Sequence, residues 1–400
     1  MSQLFIDLND LKIQKYAFGL FIFLLFLLLL IYISNKIAAN KLNCERIVKI
    51  RSLDNDIVNQ FYNIEELDRN NYFKGVIQLQ NKTIDYDYKL KDFYIKTAHN
   101  CFCNGLFKNG HVNSCAMKHC ASYGVRALDM QIFSKDNKPV IGASSLDKNV
   151  FKESFNHIDF KSALQDIDGV FYKSDTFVDD ANLEVKNNLR KDPLFLILRV
   201  HYGNDNPTKT TRSNQINFYN KIYNALVDQF ELSKFASTEL KLIYGEEYER
   251  GEVIPNMSMK DTQGKLFIFV ILNDEPNYSI IKKSKLDRLV NLYGDELDQY
   301  RFNEIYDSAG AYNINQYKAK YALTICLPTL SSNSNNYDFT QSLKKGTQFI
   351  AMNYQTSDRI LRYYNDFFIE QFGNKNNKIT SPYIKKPDHM ISLPLTLTMQ

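Results

Sequence analysis

From Ala17 to Ile33 the chain runs Ala-Phe-Gly-Leu-Phe-Ile-Phe-Leu-Leu-Phe-Leu-Leu-Leu-Leu-Ile-Tyr-Ile without one charged or amide side chain. In lipid such a segment satisfies its backbone only as a helix. At about 1.5 Å per residue it nearly crosses a hydrocarbon layer of about 30 Å. Tyr16 and Tyr32 stand where interfacial aromatics belong. Two readings are open: an uncleaved anchor over residues 17–34, or a cleaved signal peptide with Ala38-Ala39 as its small-residue site. The run is long for a signal peptide, so we expect an anchor preceded by a tail at 1–16. Lys36, Lys41, Arg46, Lys49 and Arg51 follow the run, against Lys12 and Lys15 before it. The positive-inside rule then expects a single-pass membrane protein with its C-terminal domain on the cytoplasmic side.

The rest of the chain is globular in character, with 24% charged and 44% apolar residues and a net charge of +4. No block of Lys and Arg is dense enough to track phosphates along a strand, so nucleic acid is not an expected partner. Residues 35–92 read as a polar linker and an irregular lead-in. From Phe93 onward, strand and helix patterns alternate. Strands are expected at Phe93-Tyr94-Ile95, Val125 to Phe133, Pro139 to Ile141, Leu194 to Leu198, Leu266 to Leu272, Ala322 to Leu327, Phe349 to Asn353 and Tyr383 to Lys385. Continuous apolar runs such as Leu194-Phe195-Leu196-Ile197-Leu198 suit strands buried on both faces. Helical periodicity marks Phe160 to Val170, Gln215 to Phe230 and the stretch after Ser357. Alternation of this kind over a long chain suits an α/β architecture, a TIM-type (β/α)8 barrel with its chemistry at the C-terminal strand ends. The charged segment 273–316, helical around Lys285 to Leu297, reads as an insertion between halves at 93–272 and 317–390, with a tail at 391–400.

Several short pieces stand at those strand ends. Thr97-Ala98-His99-Asn100 closes the first strand, Gly124-Val125-Arg126-Ala127-Leu128-Asp129 opens the second, and Pro139-Val140-Ile141 forms the third. Further on come Ser334-Asn335-Asn336-Tyr337, then Gly346-Thr347-Gln348-Phe349-Ile350-Ala351-Met352-Asn353-Tyr354-Gln355-Thr356, and Tyr383-Ile384-Lys385-Lys386-Pro387. In this order and spacing they resemble the X and Y regions of phosphoinositide-specific phospholipase C, within the phospholipase C-like phosphodiesterase superfamily. The resemblance implies that barrel fold and a phosphodiester substrate cleaved by its own neighbouring hydroxyl. It also implies two histidines as acid and base, and Ca²⁺ held by an Asn and three acids.

Carried over position by position, the implied site is incomplete. His99 takes the place of the first catalytic histidine, Asn100 that of the metal-binding Asn and Asp129 that of the first acidic ligand. Gln131 stands where the second acid belongs and Ala143 where the second histidine belongs. The third acid is replaced by Arg199, followed by His201, and a guanidinium there can itself face a phosphate. Two phosphate-reading lysines are replaced by Phe269 and Ile271. Arg362, Tyr364 and Asn335 match substrate-binding positions, although Arg362 and Tyr364 also read as helix-surface residues. Asp129 has an equally good alternative as an ion-pair partner of Arg126 or Arg199. Any calcium site is weak, because each lost carboxylate removes a hard oxygen ligand.

Cys101, Cys103, Cys115 and Cys120 fall in one loop between the first two strands, interleaved with His111 and His119. They can form disulfides, hold zinc or remain free thiols, depending on the compartment. The expected function is therefore a membrane-anchored, phospholipase C-like protein that acts on or binds phospholipid headgroups, with impaired or altered catalysis. The alternative is an inactive pseudoenzyme or structural membrane protein that uses the barrel and its Cys-rich loop for binding.

Overall fold

A computed structural model describes residues 11–62, 88–146, 151–173, 192–203, 212–272, 278–305, 318–371, 378–380 and 382–391. The apolar run lies in a single helix, α1 (Leu11–Tyr62), so the expected linker after residue 34 is helical as far as Tyr62. Its apolar side chains from Phe18 to Ile33 are exposed around the whole circumference. Among the described residues it is the one helix long and apolar enough to cross a membrane, a test that a signal sequence near an N-terminus also passes.

Eight strands build the curled parallel sheet: β1 (Phe93–Ala98), β2 (Ala127–Lys135), β5 (Leu194–His201), β6 (Leu266–Leu272), β7 (Val290–Tyr293), β8 (Asp298–Arg301), β9 (Thr324–Leu327) and β10 (Phe349–Met352). Their spatial order is β7-β6-β5-β2-β1-β10-β9-β8, every neighbouring pair parallel. This is the expected TIM-type barrel architecture. The segment expected to be an insertion supplies β7 and β8, and the expected helix near Lys285 is only a 3₁₀ turn, Lys285–Arg288, before β7. β3 (Lys138–Gly142) is no separate barrel stave. It folds back antiparallel on β2 and pairs with the two-residue β4 (Ile158–Asp159). After the barrel come the hairpin of β11 (Ile369–Gln371) and β12 (Lys378–Thr380), and β13 (Tyr383–Lys385), which runs antiparallel beside β1.

The period of two along the strands divides the core. Phe195, Phe267, Phe269 and Phe349 point inward and fill the lower barrel, with ring centroids 4.9 Å apart for Phe195–Phe267 and 5.3 Å for Phe195–Phe349. The alternate residues Leu196, Leu198, Ile268 and Val270 point outward. They pack with Phe160 and Leu164 of α3 (Phe160–Asp168) and with Phe218 and Ile222 of α4 (Arg212–Gln229). In the first loop, Asn113 caps α2 (Ser114–Ser122) by accepting from the Cys115 N–H. Asp159 and Asp358 cap α3 and α7 (Arg359–Phe367), with α5 (Ala236–Tyr244) and α6 (Thr340–Lys345) between them in the chain.

The Gly-Thr-Gln signature has a structural cause. Gly346 ends α6 in the left-handed region at φ 76°, which a side chain would strain. Gln348 is fully buried: its Oε1 accepts from Thr324 N at 2.8 Å, and its Nε2 donates to the Lys91 and Ala319 carbonyls, each at 2.8 Å. One amide thus joins the N-terminal ends of β1, β9 and β10.

Candidate active site at the barrel mouth

Above the phenylalanine layer, the inward positions of β1, β2 and β5 turn polar. Parallel register places Gln131 beside Arg199 and Phe133 beside His201, while His99 and Asn100 follow β1 at the same end. Asn100 adopts φ 44°, the left-handed region that Asn tolerates best after Gly. That turn lets its backbone N–H donate to Asp129 Oδ2 at 3.0 Å.

The Arg199 guanidinium occupies the centre. Its Nε donates to Asp129 Oδ1 at 2.7 Å, and its Nη2 donates to Asp129 Oδ2 at 2.8 Å and to Asn100 Oδ1 at 2.7 Å. His99 Nδ1 lies 2.7 Å from Asp129 Oδ2, and its Nε2 lies 3.2 Å from Asn100 Nδ2. All four side chains are buried, His99 being the most exposed at 4%. Burial raises the Asp129 carboxyl, but Arg199 and then His99 reverse this and hold it well below the usual carboxylate range. For His99, burial and then repulsion from Arg199 pull the imidazole down to about 4, against the pull of Asp129. At neutral pH the ring is therefore uncharged. Asp129 can only accept, so Nδ1 carries the proton and Nε2 accepts from the Asn100 amide.

A scan against protein-family models and a comparison with curated proteins both find no match. Solved structures do match. S. officinalis PLC21 aligns with TM-score 0.52 at 14% identity, and L. pealei PLC21 with 0.51 at 15%, each over 76% of this chain and 38% of theirs. This chain therefore shares the barrel fold of those two phospholipase C structures. The chain spans well under half the length of those two proteins. A calcium-dependent phosphoinositol-specific phospholipase C from a Pseudomonas species also matches, with TM-score 0.43 and 11% identity over 69% of this chain and 94% of its own.

Within this phospholipase C-like barrel the expected site residues separate. His99, Asn100, Asp129 and Arg199 come together in one hydrogen-bonded unit. Of the alternatives for Asp129, Arg199 is the partner, while Arg126 pairs with Asp192 at 3.0 Å. His201 lies further along β5, its ring stacked flat on Phe133 at 4.5 Å. Tyr364, expected at a substrate-binding position, is not exposed at the mouth. It faces the sheet from α7, fully buried, its hydroxyl donating to the Ile350 carbonyl at 2.8 Å and accepting from Thr97 N at 3.0 Å. The amphipathic helix that carries it turns Arg362 to the exposed side. Asn335 is exposed in the loop after β9, and its carbonyl accepts from Asn353 Nδ2 at 2.9 Å. Arg301 of β8, 8% exposed, donates from Nη1 to the Pro328 carbonyl at 2.7 Å and adds a smaller repulsion on His99. Reading residues 273–316 as an insertion concealed it.

The residues present do not fit Ca²⁺. That ion takes six to eight oxygens, several of them from carboxylates. Among the described residues Asp129 is the one carboxylate of the centre, and both its oxygens are bound by Arg199. Asn100 Oδ1 is bound by Arg199 as well, and Gln131 Oε1 accepts from Ser144 N at 2.7 Å. At the position of the missing second histidine, Ala143 is fully buried, its carbonyl accepting from the N–H groups of Glu153 and Ser154.

The cysteine loop is tied down differently from any expectation. Cys115 forms a disulfide with Cys44 on α1, whereas Cys101, Cys103 and Cys120 are free and buried. The disulfide withdraws Cys115 from any zinc set, and no group of three or more His, Cys, Asp or Glu side chains suited to a metal gathers among the described residues. Burial pushes all three free thiols up, which keeps them protonated and unreactive.

Proposed function

We propose that this protein is a membrane-tethered phospholipase C-like barrel that engages phosphate-bearing headgroups and does not catalyse calcium-dependent phosphodiester cleavage. The observation that carries this reading is the position of Arg199, which binds every oxygen of Asp129 and Asn100 that could face a metal or a proton. His99 has both ring nitrogens engaged, so it offers no free lone pair to an attacking hydroxyl. With Ala143 in place of a second histidine, the leaving oxygen also lacks its acid.

The placement of the mouth supports engagement with a bilayer. Lys36, three residues beyond the apolar run, donates to the Asn109 carbonyl at 2.8 Å, and Asn40 accepts from Asn104 Nδ2 at 2.8 Å. About 5 Å of helix separates Ile33 from Lys36, so the mouth sits at headgroup depth. Leu106, Leu146, Phe151, Phe155 and Leu330 are exposed on the loops at this end, an apolar rim suited to an interface. The Cys44–Cys115 disulfide favours an oxidising compartment over the cytoplasmic side expected from the cations. A large trailing domain can translocate regardless of such charges. Alkylation of the denatured chain without reductant is expected to modify four of its six cysteines. Six modified thiols would return the barrel to the cytosol.

The functional test is turnover. Purified full-length protein is mixed with phosphatidylinositol vesicles, with Ca²⁺ or with a chelator, and release of water-soluble phosphate is followed. No calcium-dependent release is expected. Release stimulated by Ca²⁺ and abolished by His99→Ala would defeat the proposal.

A further inference from the structure

Between the juxtamembrane part of α1 and the mouth loops lies a cleft of about 520 Å³. α1 contributes Lys36, Asn43 and Arg46 to it, the loop after β1 contributes Leu106 and His111, and the loops after β9 and β10 complete it with residues such as Asn333 and Thr356. Among the described residues no acidic side chain lines it, so Lys36 and Arg46 meet no counter-charge from that lining. Gln355, also in the lining, is only 4% exposed, and its Nε2 has no hydrogen-bond partner. A buried amide donor without an acceptor is destabilising unless a ligand supplies one. A cationic wall, an unmet donor and a volume in the range of small-ligand pockets all ask for the same occupant.

We infer that this cleft is a binding site for a phosphate-bearing anion, presented by an anionic phospholipid headgroup. The position of Lys36 places the cleft beside the bilayer surface, where such headgroups are concentrated. The site is separate from the His99–Arg199 centre and exists only while α1 is docked on the mouth. Cys44–Cys115 and the contacts of Asn40 with Asn104 and Asn113 hold it there. The inference rests on the headgroup-binding reading and supplies that reading with a site.

The chain has no tryptophan, so Leu106→Trp at the exposed lip creates a single indole that can be excited apart from the tyrosines. Full-length protein in neutral detergent micelles is titrated with dihexanoyl phosphatidylinositol, with dihexanoyl phosphatidylcholine and with inorganic phosphate, and lipid binding is measured in parallel by equilibrium dialysis. The inositol lipid is expected to give a saturable change, weakened at least about tenfold by Lys36→Gln with Arg46→Gln. Both cations lie on the surface of α1, and an unchanged melting temperature would confirm that the double variant folds. Equal affinity for inorganic phosphate would support the anion site but assign it to a free phosphate. Dialysis binding untouched by the double substitution would overturn the site while leaving the headgroup reading intact. Absence of lipid binding in dialysis would overturn both.

Discussion

Replacing Arg199 by methionine is expected to destabilise the fold by about 3–5 kcal/mol, because it strands the Asp129 carboxylate in a buried site. Asp129 is fully buried and takes two hydrogen bonds from the guanidinium. Neither remaining partner brings a charge: the Asn100 N–H donates to Oδ2, and His99 is uncharged at neutral pH in the native protein. Removing the repulsion from Arg199 should also raise the His99 pKa, allowing part of the loss to be recovered by an imidazolium. Urea denaturation measures the loss, and the double variant Arg199→Met with Asp129→Asn should regain much of it, since neither charge is then left alone. If Arg199→Met alone proved neutral, the guanidinium would not be neutralising a buried carboxylate.

The second large effect is on pH. The His99 imidazole drops from 6.5 to about 4 on folding, so between these values the unfolded chain binds more protons than the native one. Stability contributed by this residue is complete above 6.5 and is lost as pH falls toward 4, by roughly 3 kcal/mol in total. Asp129, also depressed, adds its loss only below the ordinary carboxylate range. Lys96 and Lys386, held down to about 7 by burial, change the stability chiefly above pH 7 and contribute equally to the wild type and to a His99 variant. Denaturation free energies at pH 7 and pH 4.5 should therefore differ by a large fraction of that amount, and His99→Gln should flatten the difference. A wild-type slope that survives His99→Gln would assign it to other groups.

How much was legible in the chain followed from segment length and continuity. β6 and the 194–198 stretch of β5 are unbroken apolar runs of strand length, buried on both faces, as a parallel sheet covered by helices requires. β7 and β8 are only four residues each, and Asp298 and Arg301 interrupt any apolar pattern, so periodicity carried no signal there. Arg301 was missed for the same reason. Tyr364 was misplaced because helical spacing puts a residue on a face without saying which face meets the sheet. Cys44 lies far from the loop in sequence, and only the continuation of α1 past the apolar run brings it to Cys115. Local sequence can show that the ligand set at the mouth is depleted. It cannot show that the replacement, Arg199, reaches across to the one remaining carboxylate.

The measurement that bears most directly on that replacement is calcium-dependent stability. A site that binds Ca²⁺ in the native state gains about 2.7 kcal/mol at a hundredfold excess over its dissociation constant, enough to raise the melting temperature by several degrees. With the guanidinium in place, millimolar Ca²⁺ is expected to shift the melting temperature no more than Mg²⁺ at equal ionic strength. A saturable, calcium-specific rise that disappears in Asp129→Asn would contradict the account.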